Sequence, residues 1–210
     1  MTEPRRLPRG RYALSRAEVE SIHRARLCAA MAEVMAEKGY VGTSVGDVLK
    51  RAVVSRQSFY QLFDSKLDCF MATARLASEY LMERLREVLA ASPEGEEPLV
   101  RFERALAAYL DVLAAELPFA RLFMVEVYAA GPEAVRRRTE GQIALTRALA
   151  EVMEVTDEVG HYTCQVVVAA TSALVTPAVA SGDRDALRAA APPLTDHVRR
   201  LWEIGAFGAI

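Results

Sequence analysis

Residues Gly42-Thr43-Ser44-Val45-Gly46 match G-x-S-x-G, the pattern that sets a nucleophilic serine on a tight turn in many hydrolases. His161 and His197 follow, with many carboxylates between, so the chain order Ser, Asp/Glu, His is available. Ser44 also has a structural reading. Asp47 stands three residues on, and Ser-x-x-Asp is a capping box: the hydroxyl accepts from a free backbone N–H and the carboxylate reaches back to the cap residue. The same spacing occurs at Ser15-x-x-Glu18 and Ser65-x-x-Asp68, whereas Ser55 is followed by Ser58. A helix N-terminus favours anions, and a carboxylate in its first turn competes with an external phosphate. The start at Ser55 is the one left without such an acid.

The elements around these residues separate the two readings. Apolar residues recur at helical spacing almost everywhere, as in Leu27, Cys28, Met31, Val34 and Met35. The pattern predicts helices over 15–38, 44–52, 55–63, 66–91, 99–116, 118–129, 132–154, 158–181 and 193–204. The fold class is all-α, with about nine helices. A nucleophile elbow needs a strand before the serine and a helix after it. Here a helix ends at Gly39-Tyr40, no sheet is expected, and HExxH, P-loop and GxGxxG patterns are absent. The hydrolase is therefore the rejected alternative, and the protein is expected not to be an enzyme.

Two short helices joined by Arg51-Ala52-Val53-Val54 form a helix-turn-helix candidate. Phe59, Leu62 and Phe63 fall on one side of the second helix, facing Val48 and the long first helix. Arg56, Gln57, Tyr60 and Gln61 are left on the other. One cation, two amides and a phenol suit a mixture of base edges and phosphates.

The run EKGYVGTSVGDVLKRAVVSRQSFYQLFDSK (37–66) resembles the DNA-binding head of the tetracycline-repressor (TetR) family, and the likeness spans residues from roughly 18 to 70. The resemblance implies a cap role for Ser44 and a phosphate contact within reach of Thr43. It places Ser55, Arg56, Gln57, Ser58 and Gln61 where a recognition helix meets the major groove, and Tyr60 and Lys66 at phosphate-bonding positions. Two positions depart from the pattern. Val53 replaces the usual turn glycine, so a positive φ there would strain a β-branched residue. Gly46 stands where many members carry a polar or basic residue.

The implied organisation is a basic arm over 1–14 with Arg5, Arg6, Arg9 and Arg11, a head over 15–65, and a helical ligand-binding and dimerisation domain over 66–210. Charge divides accordingly. Residues 1–66 carry 12 Lys+Arg against 7 Asp+Glu, although the 210-residue chain has net charge −2. Only the head is expected to meet an anionic partner. The expected partners are a palindromic double-stranded DNA operator, a small-molecule effector and a second copy paired through the last two helices. The expected role is a regulator, most readily a repressor. A helical interaction module without DNA binding is the other alternative.

Phe102, Tyr109, Phe123, Met124, Glu126, Tyr128, Tyr162 and Gln165 are candidates to line the effector pocket. Glu126 stands out in the apolar run Leu122–Tyr128, as a buried ligand partner or as a carboxylate paired with a nearby arginine. Cys28, Cys69 and Cys164 have no metal-finger spacing and are expected as buried thiols; no metal or cofactor is expected. The N-terminus lacks the apolar core of a secretory signal. Val159–Gly182 is uncharged over a bilayer-spanning length, but its His161, Gln165, five Ser/Thr residues and Pro177 favour a doubly buried helix in a cytoplasmic protein with no membrane partner.

Overall fold

The computed structural model describes residues 15–208, so the expected basic arm lies outside the described residues. Among the described residues every regular element is helical. The head comprises α1 (Arg16–Gly42), α2 (Val45–Ala52) and α3 (Arg56–Leu62). The body comprises α4 (Lys66–Ala90), α5 (Pro98–Ala115), α6 (Leu117–Arg121), a π-helical turn (Leu122–Glu126), α7 (Val127–Ala130), α8 (Pro132–Val152), α9 (Glu158–Ser181), α10 (Arg184–Ala189) and α11 (Ala191–Glu203). α6, the π turn and α7 form one nearly continuous rod, matching the expected helix 118–129. α10 is an additional short helix. Pro192 and Pro193 open α11 rather than separate it, because proline is compatible with a first helical turn that has no N–H bonds to lose.

The capping boxes start these helices as their spacing implies. Ser15 and Ser44 make both bonds of the box. At Ser65 the hydroxyl accepts from the Asp68 N–H, but the Asp68 carboxylate accepts from Asp64 N–H instead of Ser65 N–H. α1 breaks at Gly39, whose φ of 70° and ψ of 170° suit glycine alone.

Two apolar clusters hold the molecule together. The first joins Leu27, Met31 and Met35 of α1 to Val48, Phe59, Phe63 and Phe70, and extends to Leu122, Val127, Ala130 and Ala134 in the body. The second joins α5, α8, α9 and α11 around Leu110, Cys164, Val175 and Val198. The rod over 117–130 therefore touches both. α9 differs from the doubly buried helix expected. Cys164, Val167, Val175 and Val179 face the core, while Val159, Tyr162, Val166 and Leu174 are 47–69% exposed. By length and composition it could cross a membrane, but one of its faces is packed into the body. All three cysteines are buried and free.

Candidate nucleic-acid interface and cavity

Ser44 belongs to the fold of the head. Its hydroxyl donates to Asp47 Oδ2 at 2.6 Å and accepts from Asp47 N–H at 3.1 Å. Lys38 Nζ binds the other oxygen of Asp47 at 2.6 Å. The Lys38 ammonium, with the Ser44 hydroxyl and N–H, holds the Asp47 carboxyl well below the usual carboxylate range. No imidazole is among the hydrogen-bond partners of Ser44, so its geometry is that of a cap rather than an activated nucleophile. Arg51 ties α2 to α1 by bonding Glu33 at 2.9 Å and Glu37 at 2.7 Å.

Val53 closes the turn with φ 54° and ψ 47°, the left-handed conformation usually left to glycine, and 74% of its surface is exposed. Gly46 is also exposed, and a Cβ there would meet Ser44 Oγ at an ordinary 3.6 Å. The turn delivers α3 with Phe59 and Phe63 buried, their rings 5.6 Å apart. On its opposite face Arg56, Gln57, Tyr60 and Gln61 are exposed. Among the described residues, Arg56, Gln57, Gln61 and the Tyr60 hydroxyl have no hydrogen-bond partner. Ser55 caps α3 through Ser58 N–H at 3.0 Å, and the Ser58 hydroxyl lies 2.9 Å from that of Ser55. The first turn of α3 carries no acid, unlike those of α1, α2 and α4.

Thr43 and Lys66 have different surroundings from those expected. Thr43 is 3% exposed, and its hydroxyl donates to Gly39 O at 2.7 Å, because the break in α1 leaves that carbonyl without a helical partner. Lys66 Nζ donates to Tyr40 O and Thr43 O, both at 2.9 Å, and lies 4.1 Å from the centre of the Tyr40 ring. Two of its three N–H groups thus hold the junction of α1 and α2.

The body carries a cavity of about 630 Å³, open to solvent on one side and bounded by α4, α5, the 117–130 rod, α8 and α9. This is within the range of small-molecule sites, roughly 300–1,000 Å³. Phe102, Tyr109, Phe123 and Met124 line it. Burial pushes the Tyr109 phenol up to about 12, so it is neutral near pH 7. Its charged lining residues are Glu79, Arg86, Glu116, Arg137, Arg138 and Glu140, with Thr171 and Ser172 from α9 beside them. Arg138 Nη2 donates to Ser172 Oγ at 2.9 Å, and Arg137 Nη1 to Glu140 at 3.1 Å. The Nε atoms of both arginines are buried without a partner.

Four expected lining residues lie elsewhere. Tyr128 is 60% exposed beneath the Arg138 guanidinium. Tyr162 and Gln165 sit on the outer side of α9, in a second hollow of about 620 Å³ between α8 and α9. The π turn points Glu126 away from the cavity: it is 8% exposed, accepts from Tyr40 N–H at 2.8 Å and pairs with Arg121 Nε at 3.4 Å. Helical periodicity places these residues on a helix without telling which apolar side faces a void. Sequence reading also passed over Arg137 and Arg138, whose charges suggest a solvated face until α9 is laid against them.

Residues 27–73, the second half of α1 through the first turns of α4, match the model for bacterial regulatory proteins of the tetR family. The head of this chain is therefore similar to the DNA-binding segment of that family. The HTH-type transcriptional activator FasR of Mycolicibacterium smegmatis is 25% identical over 130 residues, 62% of this chain and 58% of that protein, so the match spans under two thirds of the relative. Two solved structures share the fold. The fatty acid degradation regulator FadR of Bacillus halodurans superposes with a TM-score of 0.72 at 18% identity, over 82% of this chain and 92% of its own. FadR of Bacillus subtilis, in complex with stearoyl-CoA, gives 0.68 at 18% identity, over 82% and 95%. The matched segment contains every residue expected to meet DNA, from Thr43 to Lys66.

Proposed function

We propose that this protein is a member of the tetR family: a homodimeric, cytoplasmic DNA-binding regulator of transcription, a repressor released by a small molecule held in the body cavity. The observation that carries the reading is the face of α3, where Arg56, Gln57 and Gln61 stand exposed and without partners beyond an acid-free helix start. Base edges and phosphates supply the partners these groups lack. Two such heads enter successive major grooves about one DNA turn apart. The second copy docks on the uncharged outer stripe of α9, Val159, Tyr162, Val166 and Leu174, beside α11. That stripe meets protein, not lipid.

The chemistry of the cavity favours a long apolar ligand with an anionic head. Its walls are apolar over most of their extent; of its lining arginines, Arg86 and Arg137 pair with Glu83 and Glu140, which leaves Arg138, bonded to Ser172, to meet an anionic head. A fatty acyl group carried on a coenzyme fits that description, and the stearoyl-CoA held by the Bacillus subtilis FadR supports it. The ligand favours a head spacing that does not fit DNA, so affinity falls by its differential binding to the two states. The protein performs no catalysis.

Fluorescence anisotropy with DNA from the intergenic region beside its own gene tests the proposal, with and without oleoyl-CoA at fixed salt. Tight binding that oleoyl-CoA weakens is expected. Equal affinity for that DNA and an unrelated duplex would refute the operator reading. Undiminished binding under saturating oleoyl-CoA would refute the ligand class.

A further inference from the structure

The rod over 117–130 is interrupted where it passes between cavity and head. Residues Leu122–Glu126 adopt π-helical geometry, an i→i+5 pattern that is rare and concentrated at functional sites. The turn directs consecutive side chains to different parts of the molecule. Phe123 and Met124 line the cavity. Leu122 and Val127, both at most 1% exposed, belong to the head's apolar cluster. Glu126 accepts from Tyr40 N–H at the break in α1.

Both ends of this connection are tightly fitted. On the cavity side the Phe123 ring lies over Gly141 of α8, where a Cβ would come within 2.8 Å of the ring. A ligand pressing on Phe123 therefore cannot push it toward α8. On the head side a Cβ at Gly39 would lie 3.2 Å from Glu126 Oε2. The bond to Tyr40 is continued into the DNA-binding unit. Tyr40 O and Thr43 O share the Lys66 ammonium, Thr43 Oγ1 binds Gly39 O, and Thr43 precedes Ser44, the cap of α2. Arg121 joins Glu126 to the C-terminal turn of α9, donating to Ala180 O at 2.5 Å.

We propose that the π turn transmits events in the cavity to the head, with Glu126 as the positioning residue that sets the start of α2 through Tyr40 N–H. This rests on the reading of the cavity as the effector site. Displacing Phe123 moves the turn as a unit, because its neighbours in both clusters are packed. The carboxylate then draws on, or releases, the peptide that fixes the junction of α1 and α2.

The test requires neither the effector nor the operator, so its failure is distinct from failure of the ligand reading. Gly141→Ala drives Phe123 from the α8 side. Hydrogen exchange of the segment 38–44 is read by mass spectrometry in the full-length wild type, Gly141→Ala, Glu126→Ala and the double variant. Phe123→Leu takes the place of Gly141→Ala if that variant does not fold. The expected result is an exchange rate in 38–44 changed about tenfold by the cavity-side substitution, within the usual range of coupling between two sites. That change is lost in the Glu126→Ala background and retained with Glu126→Gln, which keeps an acceptor. A purely structural role for Glu126 predicts equal, additive changes in both backgrounds. Additivity, or no response of 38–44 to either cavity-side substitution, overturns the proposal.

Discussion

Replacing Val53 with glycine should stabilise the protein. Val53 holds φ 54° and ψ 47°. The left-handed region costs an L-residue roughly 1–2 kcal/mol, and a β-branched side chain is among the least tolerant of it. Against this, a glycine loses more backbone freedom on folding, roughly 0.5–1 kcal/mol. The side chain contributes little in return, since 74% of it is exposed. Taking the middle of the first range, about 1.5 kcal/mol, the balance is a gain of about 0.5–1 kcal/mol. For a chain of this size 1 kcal/mol shifts Tm by about 2–4 °C, so a rise of about 1–4 °C is expected. The assay is thermal unfolding at fixed protein concentration, because association makes Tm depend on it. Val53→Ala is the control: it removes the branch but keeps Cβ, and should gain less than glycine. A Tm at or below wild type for Val53→Gly, in a protein with native helicity, would refute the strain argument.

Three further outcomes follow from the same geometry. The folded Asp47 carboxyl lies below its unfolded pKa, so its contribution is complete above the usual carboxylate range and is lost as pH falls; Asp47→Asn should flatten acid melts taken below about pH 5. Arg56→Ala should cost about 1–3 kcal/mol at each half-site and relax preference at one symmetric pair of base positions, with the fold intact; an operator library at fixed salt reads both. Leu174→Glu puts a charge into the outer stripe of α9 without disturbing the core, since Leu174 is 64% exposed; light scattering should then fall toward the chain mass of 23.1 kDa.

The head was more legible than the body because its signals are local. Ser44 and Asp47 lie one helical turn apart, and their bonds form as the spacing implies. The exposed face of α3 follows from the positions of Phe59 and Phe63 alone. The family resemblance singled out Val53 in place of a turn glycine, with strain expected if its φ were positive, and φ is 54°. The body depends on distant pairings. Glu126 bonds a peptide 86 residues earlier in the chain, and Arg138 bonds a serine 34 residues later. Neither separation leaves a periodic trace. α10 was missed for a related reason: at six residues, between Gly182 and two prolines, it is too short for periodicity to show. The two faces of α9 differ in what covers them, not in their apolar character, so sequence alone made both seem buried.

Lys66 and Tyr60 were given the same task by sequence, and the structure separates them. Both were expected to bond phosphate. The Lys66 ammonium spends two donors on Tyr40 O and Thr43 O, so Lys66→Ala removes a fastening of the head as well as a charge. A loss of DNA affinity in that variant would mix the two effects. The Tyr60 hydroxyl has no partner among the described residues, its side of α3 is half exposed, and its ring rests edge-on against Phe59 at 5.2 Å. Tyr60→Phe keeps that ring contact and removes only the O–H. It should leave Tm unchanged and weaken binding to every DNA sequence alike. The expected cost is about 1.5–3 kcal/mol for each hydrogen bond lost to a charged phosphate. Lys66→Ala, by contrast, should lower Tm. Unaltered affinity in Tyr60→Phe would show that the phenol does not touch the backbone. A loss confined to one base step would make it a base contact.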